Sequence, residues 1–187
     1  MAARDAIEEL YQLIRQLDDG VTLLVFVMRG RIKATTEDNY RLFYDIFCDK
    51  QVPIVMVVTG LEELDDMGQW WFENKPAFDQ YKMSFKAVAC ITATKGKCRK
   101  GVYSYGVEYE ESKLKVEDLI HRHYMWVPWK KPTVPWFISI LARLGNVFAQ
   151  YFGVKPDLQE ALHTYGGLLE KEAKEKAREM ERNMVDP

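Results

Sequence analysis

Pro53-Ile54-Val55-Met56-Val57-Val58 runs without a break into Thr59-Gly60-Leu61-Glu62. An apolar, largely β-branched run with no polar alternation reads as a strand buried on both faces, as in a parallel sheet. The Thr-Gly-Leu-Glu stretch is then a polar loop at the carboxyl end of that strand, where ligands bind to open α/β sheets. A carboxylate there suits a guanine, whose ring N–H and exocyclic amine present two donors side by side; adenine offers no such pair. The same loop also fits a second reading, with Glu62, Glu63, Asp65 and Asp66 as acids favouring the amino end of the next helix.

Outward from this strand the pattern repeats. Val21 to Met28 and Lys86 to Ile91 are further apolar, β-branched runs. A helix starting near Thr35-Thr36-Glu37-Asp38 and carrying Tyr40, Leu42, Phe43, Ile46 and Phe47 separates the first two strands; one carrying Trp70, Trp71, Phe78 and Tyr81 separates the second two. Both connections exceed the dozen or so residues that a parallel crossover needs. Right-handed crossovers then place the strands side by side in sequence order. The fold class is therefore α/β: a short three-stranded parallel sheet with flanking helices. An amphipathic helix (Ile7, Leu10, Tyr11, Ile14, Leu17) precedes it, and after a loop over Thr92 to Gly106 a helix from about Ser112 to His121 closes the layer.

From Tyr124 the chain turns aromatic and proline-rich, with Trp126, Pro128, Trp129, Pro132 and Pro135. We divide it into a sheet-bearing part (4–122), this connector (123–135) and a helical extension (136–187). In the extension, residues 136–152 read as a helix with one narrow polar stripe of Ser139, Arg143, Asn146 and Gln150. Most of that helix calls for burial against protein; a membrane surface is the lesser alternative, because the stripe holds one basic residue. Asp157 to Met184 reads as a charged helix interrupted at Gly166-Gly167.

The net charge of -2, with basic and acidic residues interleaved, leaves no electrostatic footprint for nucleic acid, which is excluded as a main partner. Cys48, Cys90 and Cys98 lack paired spacing, in keeping with a reducing, cytoplasmic compartment. No run approaches the roughly 18 apolar residues of a spanning helix. His121 and His123 have no third ligand nearby, so no metal site is identified, and no serine or cysteine lies in a nucleophile elbow.

Val21-Thr22-Leu23-Leu24-Val25-Phe26-Val27-Met28-Arg29-Gly30-Arg31, with Thr36-Glu37-Asp38 opening the next helix, resembles the middle strand and following helix of the immunity-associated type of P-loop GTPases, the septin and Toc-like group. The resemblance spans about residues 4 to 122 and extends to fungal G-domain proteins. It rests on the order and spacing of short motifs. It implies a guanine-recognition loop at Thr59-Gly60-Leu61-Glu62 and, at Thr92 and Ala93, the Ser-Ala-like turn that completes the base site. GTP or GDP is the implied ligand, weakly held.

One departure is large. A phosphate loop needs Gly-x-x-x-x-Gly-Lys-Ser/Thr, and nothing in these residues matches it. Asp65-Asp66-Met67-Gly68 imitates the Asp-x-x-Gly switch but follows the base loop instead of preceding it. The resemblance thus implies half of a doubly wound P-loop GTPase fold, the carboxyl half of a G domain, without phosphate-binding and magnesium-binding parts. It also implies an open edge on strand 21–28; that edge and helix 136–152 are the candidate surfaces for self-association or a protein partner. The alternative function is a non-catalytic interaction module working through the helical extension. Phosphoryl transfer is catalysed by positioning and charge neutralisation of the phosphates. The purified chain is therefore expected to show no magnesium-dependent GTP hydrolysis above background; sustained turnover by the pure protein would reject this.

Overall fold

A computed structural model describes residues 3–33, 35–144 and 157–185. The chain divides into two compact units, Thr22–Val127 and Met1–Val21 with Pro128–Pro187.

The first unit is built on β1 (Leu24–Arg29), β2 (Ile54–Thr59) and β3 (Val88–Cys90), parallel and in the order β1-β2-β3. This is the sheet expected from the apolar runs. Leu24 lies opposite Ile54, and Met56 opposite Val88. Backbone pairing at β3 extends past the named strand, with Lys86 N–H donating to Ile54 O at 2.8 Å and Ile91 N–H to Val58 O at 2.9 Å. Val21, expected as the start of the first strand, belongs instead to the second unit, where it exchanges backbone hydrogen bonds with Trp129 of that same unit.

Alternate side chains of β2 enter two cores. Ile54, Met56 and Val58 join Met28 and Cys90 beneath α2 (Thr35–Tyr40) and α3 (Gln69–Gln80), which contribute Tyr40, Trp70 and Phe78. Phe78 is completely buried, its ring 5.4 Å from Trp71 and 5.9 Å from Phe85. After Tyr40 the helix widens to π geometry over Arg41–Phe47 and ends with Cys48 N–H bonded to Phe43 O. The opposite face, Val55, Val57, Ala89 and Ile91, lies under Leu119 of α4 (Gly106–His123). That helix packs on β2 and β3. Val25 and Val27, on the same face of β1, are left 40% and 62% exposed.

The stretch expected as an open loop between β3 and α4 contains a hairpin, β4 (Cys98–Arg99) and β5 (Val102–Tyr103). Its two turn residues, Lys100 and Gly101, have φ of 51° and 81°. Positive φ at both matches the right-handed twist of paired strands. The helix after it begins at Gly106, earlier than Ser112.

The second unit holds α1 (Ala3–Gln16), α5 (Thr133–Leu144), α6 (Leu158–Thr164) and α7 (Glu170–Val185). The sequence assigned α1 to the sheet-bearing part; it belongs instead with the carboxyl-terminal helices. Ile7, Leu10 and Ile14 are buried, and the Tyr11 ring lies 5.3 Å from Phe137 and 5.0 Å from Tyr165. Trp136, Phe137, Ile140, Leu141 and Leu144 bury the apolar side of α5. Of the expected helix 136–152, residues 145–152, with Asn146 and Gln150, lie outside the described residues. The break at Gly166-Gly167 separates α6 from α7, with Gly167 at φ 65°. No described helix is long and apolar enough to cross a membrane.

Truncating a fully buried aromatic leaves a cavity as well as losing its transfer energy. Phe78→Ala should cost about 3–5 kcal/mol in denaturant unfolding, whereas Phe72→Ala, at a side chain 79% exposed, should stay within about 0.5 kcal/mol. Equal costs would mean that the aromatic cluster is not the core of this unit.

Candidate functional site

The loop after β2 is shaped by two close approaches. Thr59 Oγ1 donates back to Met28 O at 3.3 Å. Gly60 has φ 77°, and a Cβ there would lie 2.7 Å from the Arg29 side chain, so any other residue would be strained and would have to displace Arg29. Leu61 then turns into the core, 4% exposed, and the next residues emerge at the carboxyl end of the sheet. Leu61 can thus serve a ligand only through its backbone.

The acids of this loop divide by role. Asp66 Oδ1 accepts Gly68 N–H at 2.8 Å, a local turn that starts α3. Glu63, exposed, accepts a short hydrogen bond from the Tyr105 hydroxyl. Glu62 is half-buried, and its Oε2 is shut away from solvent without a hydrogen-bond partner among the described residues. The helix-start reading therefore holds for Asp66, while Glu62 carries unused acceptor capacity.

At the neighbouring strand end, Thr92 is 1% exposed. Its N–H donates to Ser112 Oγ at 3.1 Å, and its Oγ1 donates to Thr94 O at 3.1 Å while accepting Thr94 N–H at 3.3 Å. Thr92 thus holds the turn that leaves Ala93 exposed at its tip. Beyond it, Lys95 pairs with Glu110 at 2.8 Å and sits 4.9 Å from the centre of the Tyr109 ring. That hydrogen-bonded ion pair holds the lysine above, and the carboxyl below, its ordinary range.

Tyr105 was not among the sequence candidates, yet it ties the two loops together. Its ring packs on Gly96 so closely that a Cβ there would lie 2.6 Å away, and its hydroxyl reaches Glu63. The available signal was Lys100-Gly101, a two-residue turn between short strands, which predicts a hairpin that returns the chain toward the sheet.

Other chemistry is sparse. His123 Nδ1 lies 2.8 Å from Leu119 O and His163 Nδ1 2.9 Å from Leu168 O, bonds that hold them to their own backbones. No group of three metal-ligating side chains occurs among the described residues. Burial pushes the Cys48 thiol up to about 12, away from nucleophilic use. A cleft of about 520 Å³ opens along the outer side of β3 between α3 and α4, reaching Trp71, Phe72, Lys115 and Arg122.

Comparison of the chain with protein-family models, curated proteins and solved structures returned no match.

The hydrogen bond to the Glu63 carboxylate, then desolvation, raises the Tyr105 phenol above its ordinary value. A raised folded-state value means that this bond contributes fully below the unfolded phenol's pKa of about 10 and is lost as pH rises through the folded value. Tyr105→Phe should slightly lower the thermal midpoint at pH 7, with the gap to the parent closing in strong alkali. Absorbance titration should show one late-ionising tyrosine fewer in the variant; an unchanged titration would discard the Tyr105–Glu63 link.

Proposed function

We propose that the sheet unit is the base-recognition side of a GTPase-like nucleotide-binding domain, which takes guanine through Glu62 and does not hydrolyse GTP by itself. The observation that carries this reading is the Glu62 Oε2 atom, buried without a donor among the described residues at the carboxyl end of the middle strand. Such an atom forfeits about 1–3 kcal/mol that a donor restores. The guanine ring N–H and amine are a matching pair of donors for one carboxylate. Thr59 and Gly60 shape the turn that delivers Glu62, and Thr92 holds the adjacent turn on which exposed Ala93 offers a backbone N–H suited to a base carbonyl. With no glycine-rich phosphate loop in these residues and Lys95 already paired, the phosphates gain little, so binding is weak.

The alternative seat of function, the helical extension, is less favoured because Trp136, Phe137, Ile140, Leu141 and Leu144 of α5 are buried.

Fluorescent GDP and ADP analogues titrated into the full chain provide the test. Binding should favour the guanine ligand, and Glu62→Ala should weaken it by about 1.5–3 kcal/mol, tenfold or more, with the unfolding midpoint not lowered. Equal affinity for the two bases, or indifference to Glu62→Ala, would sink the assignment.

A further inference from the structure

The sheet has two outer edges, and they differ. The outer side of β3 lies in the cleft between α3 and α4. The outer side of β1 carries its charge only at the end, on exposed Arg29, and Leu24-Val25-Phe26-Val27-Met28 contains no charge, proline or glycine to protect the edge.

The hydrogen-bond ladder identifies which groups are free. Leu24 N–H donates to Pro53 O and Gly30 N–H to Thr59 O, both at 2.9 Å, so the even-numbered residues of β1 face β2. The N–H and C=O groups of Val25 and Val27 therefore point outward, and nothing among the described residues pairs with them. Water can satisfy such groups on a solvent-exposed edge, but their directional row is a template for another strand, and burying them under a flat apolar partner would leave them unpaired.

We propose that β1 is a self-association edge, on which two copies of this chain pair antiparallel about a two-fold axis at Phe26. The strand is complementary to itself in this register. Residues with outward backbone groups must face each other, and here Val25 meets Val27 of the second copy and Val27 meets Val25. Each such pair exchanges two hydrogen bonds, which satisfies the free groups of both valines. Phe26 faces Phe26 across the axis, Leu24 faces Met28, and no charge opposes a like charge. The exposed Val25 and Val27 side chains form a four-valine cluster on one face. A slip of two residues in one direction puts Arg29 opposite Val25, and the Arg29 carbonyl is already bonded to Arg31 N–H. A two-fold axis builds this interface from one surface patch, and joins the two three-stranded sheets into one. A single strand pair is a small interface, so the dimer is concentration-dependent. This inference does not rest on the guanine reading.

Sedimentation velocity of the full chain over a wide concentration range tests it, with a reversible monomer–dimer shift expected. Val27→Lys, at a side chain 62% exposed, should abolish the shift while circular dichroism and the thermal midpoint hold. A second test fixes the register in a Cys98→Ser background. Val25→Cys with Val27→Cys should give a covalent dimer on mild oxidation, because facing residues lie about 5.5 Å apart. Val27→Cys alone should not, since its two copies sit on the diagonal, roughly 7–8 Å apart, beyond the range of about 6.8 Å for a disulfide. A monomer at every concentration, a dimer that survives Val27→Lys, or equal crosslinking by Val27→Cys alone would each overturn the proposal.

Discussion

Because β2 is hydrogen-bonded along both edges and covered on both faces, a polar side chain from Ile54 to Val58 would be buried without water, and all of these residues are nearly inaccessible. The rest of the sheet unit follows from that strand. Its even-numbered side chains are the floor for the aromatic cluster of Tyr40, Trp70 and Phe78, and its odd-numbered ones the floor for Leu119. Among the described elements of this unit, α2 and α3 contribute to one core and α4 to the other. Coverage is therefore complete over β2 and incomplete over β1, where Val25 and Val27 stay accessible.

The ends of the parallel strands inherit this rigidity. All three strands point the same way, so the loops after β2 and β3 open at one end of the sheet. Local sterics then set what each loop presents: Gly60 reverses the chain beside Arg29, Leu61 anchors it in the core, and Glu62 follows with an oxygen unpaired among the described residues. Thr92, closed on Ser112 and Thr94, holds the neighbouring turn. The hairpin returns Tyr105 to Glu63 and so links loops that are far apart in sequence.

The helical unit is held by a different kind of contact. Aromatic edges meet between Tyr11 and Phe137, Phe137 and Tyr165, and Trp129 and Trp136, and its core residues come from the two ends of the chain. An amphipathic helix such as α1 carries an apolar stripe but no address. The stripe of Ile7, Leu10 and Ile14 was readable; its partner was not.

What the sequence by itself determined is the part governed by short-range periodicity and chain reach. Unbroken β-branched runs with long helical crossovers leave few arrangements besides a parallel sheet in sequence order, and Gly166-Gly167 breaks a charged helix wherever it lies. The acidic loop after Val58 was equally plain, though its acids could not be told apart in the linear chain. Only the tertiary structure decided that Asp66 closes a turn, that Glu63 is held by Tyr105 and that Glu62 has an oxygen without a donor among the described residues. Only it decided that α1 joins the carboxyl-terminal helices. The reason is common to these cases: burial and hydrogen-bond satisfaction are properties of groups brought together from distant positions, and neither spacing nor propensity records which distant group arrives.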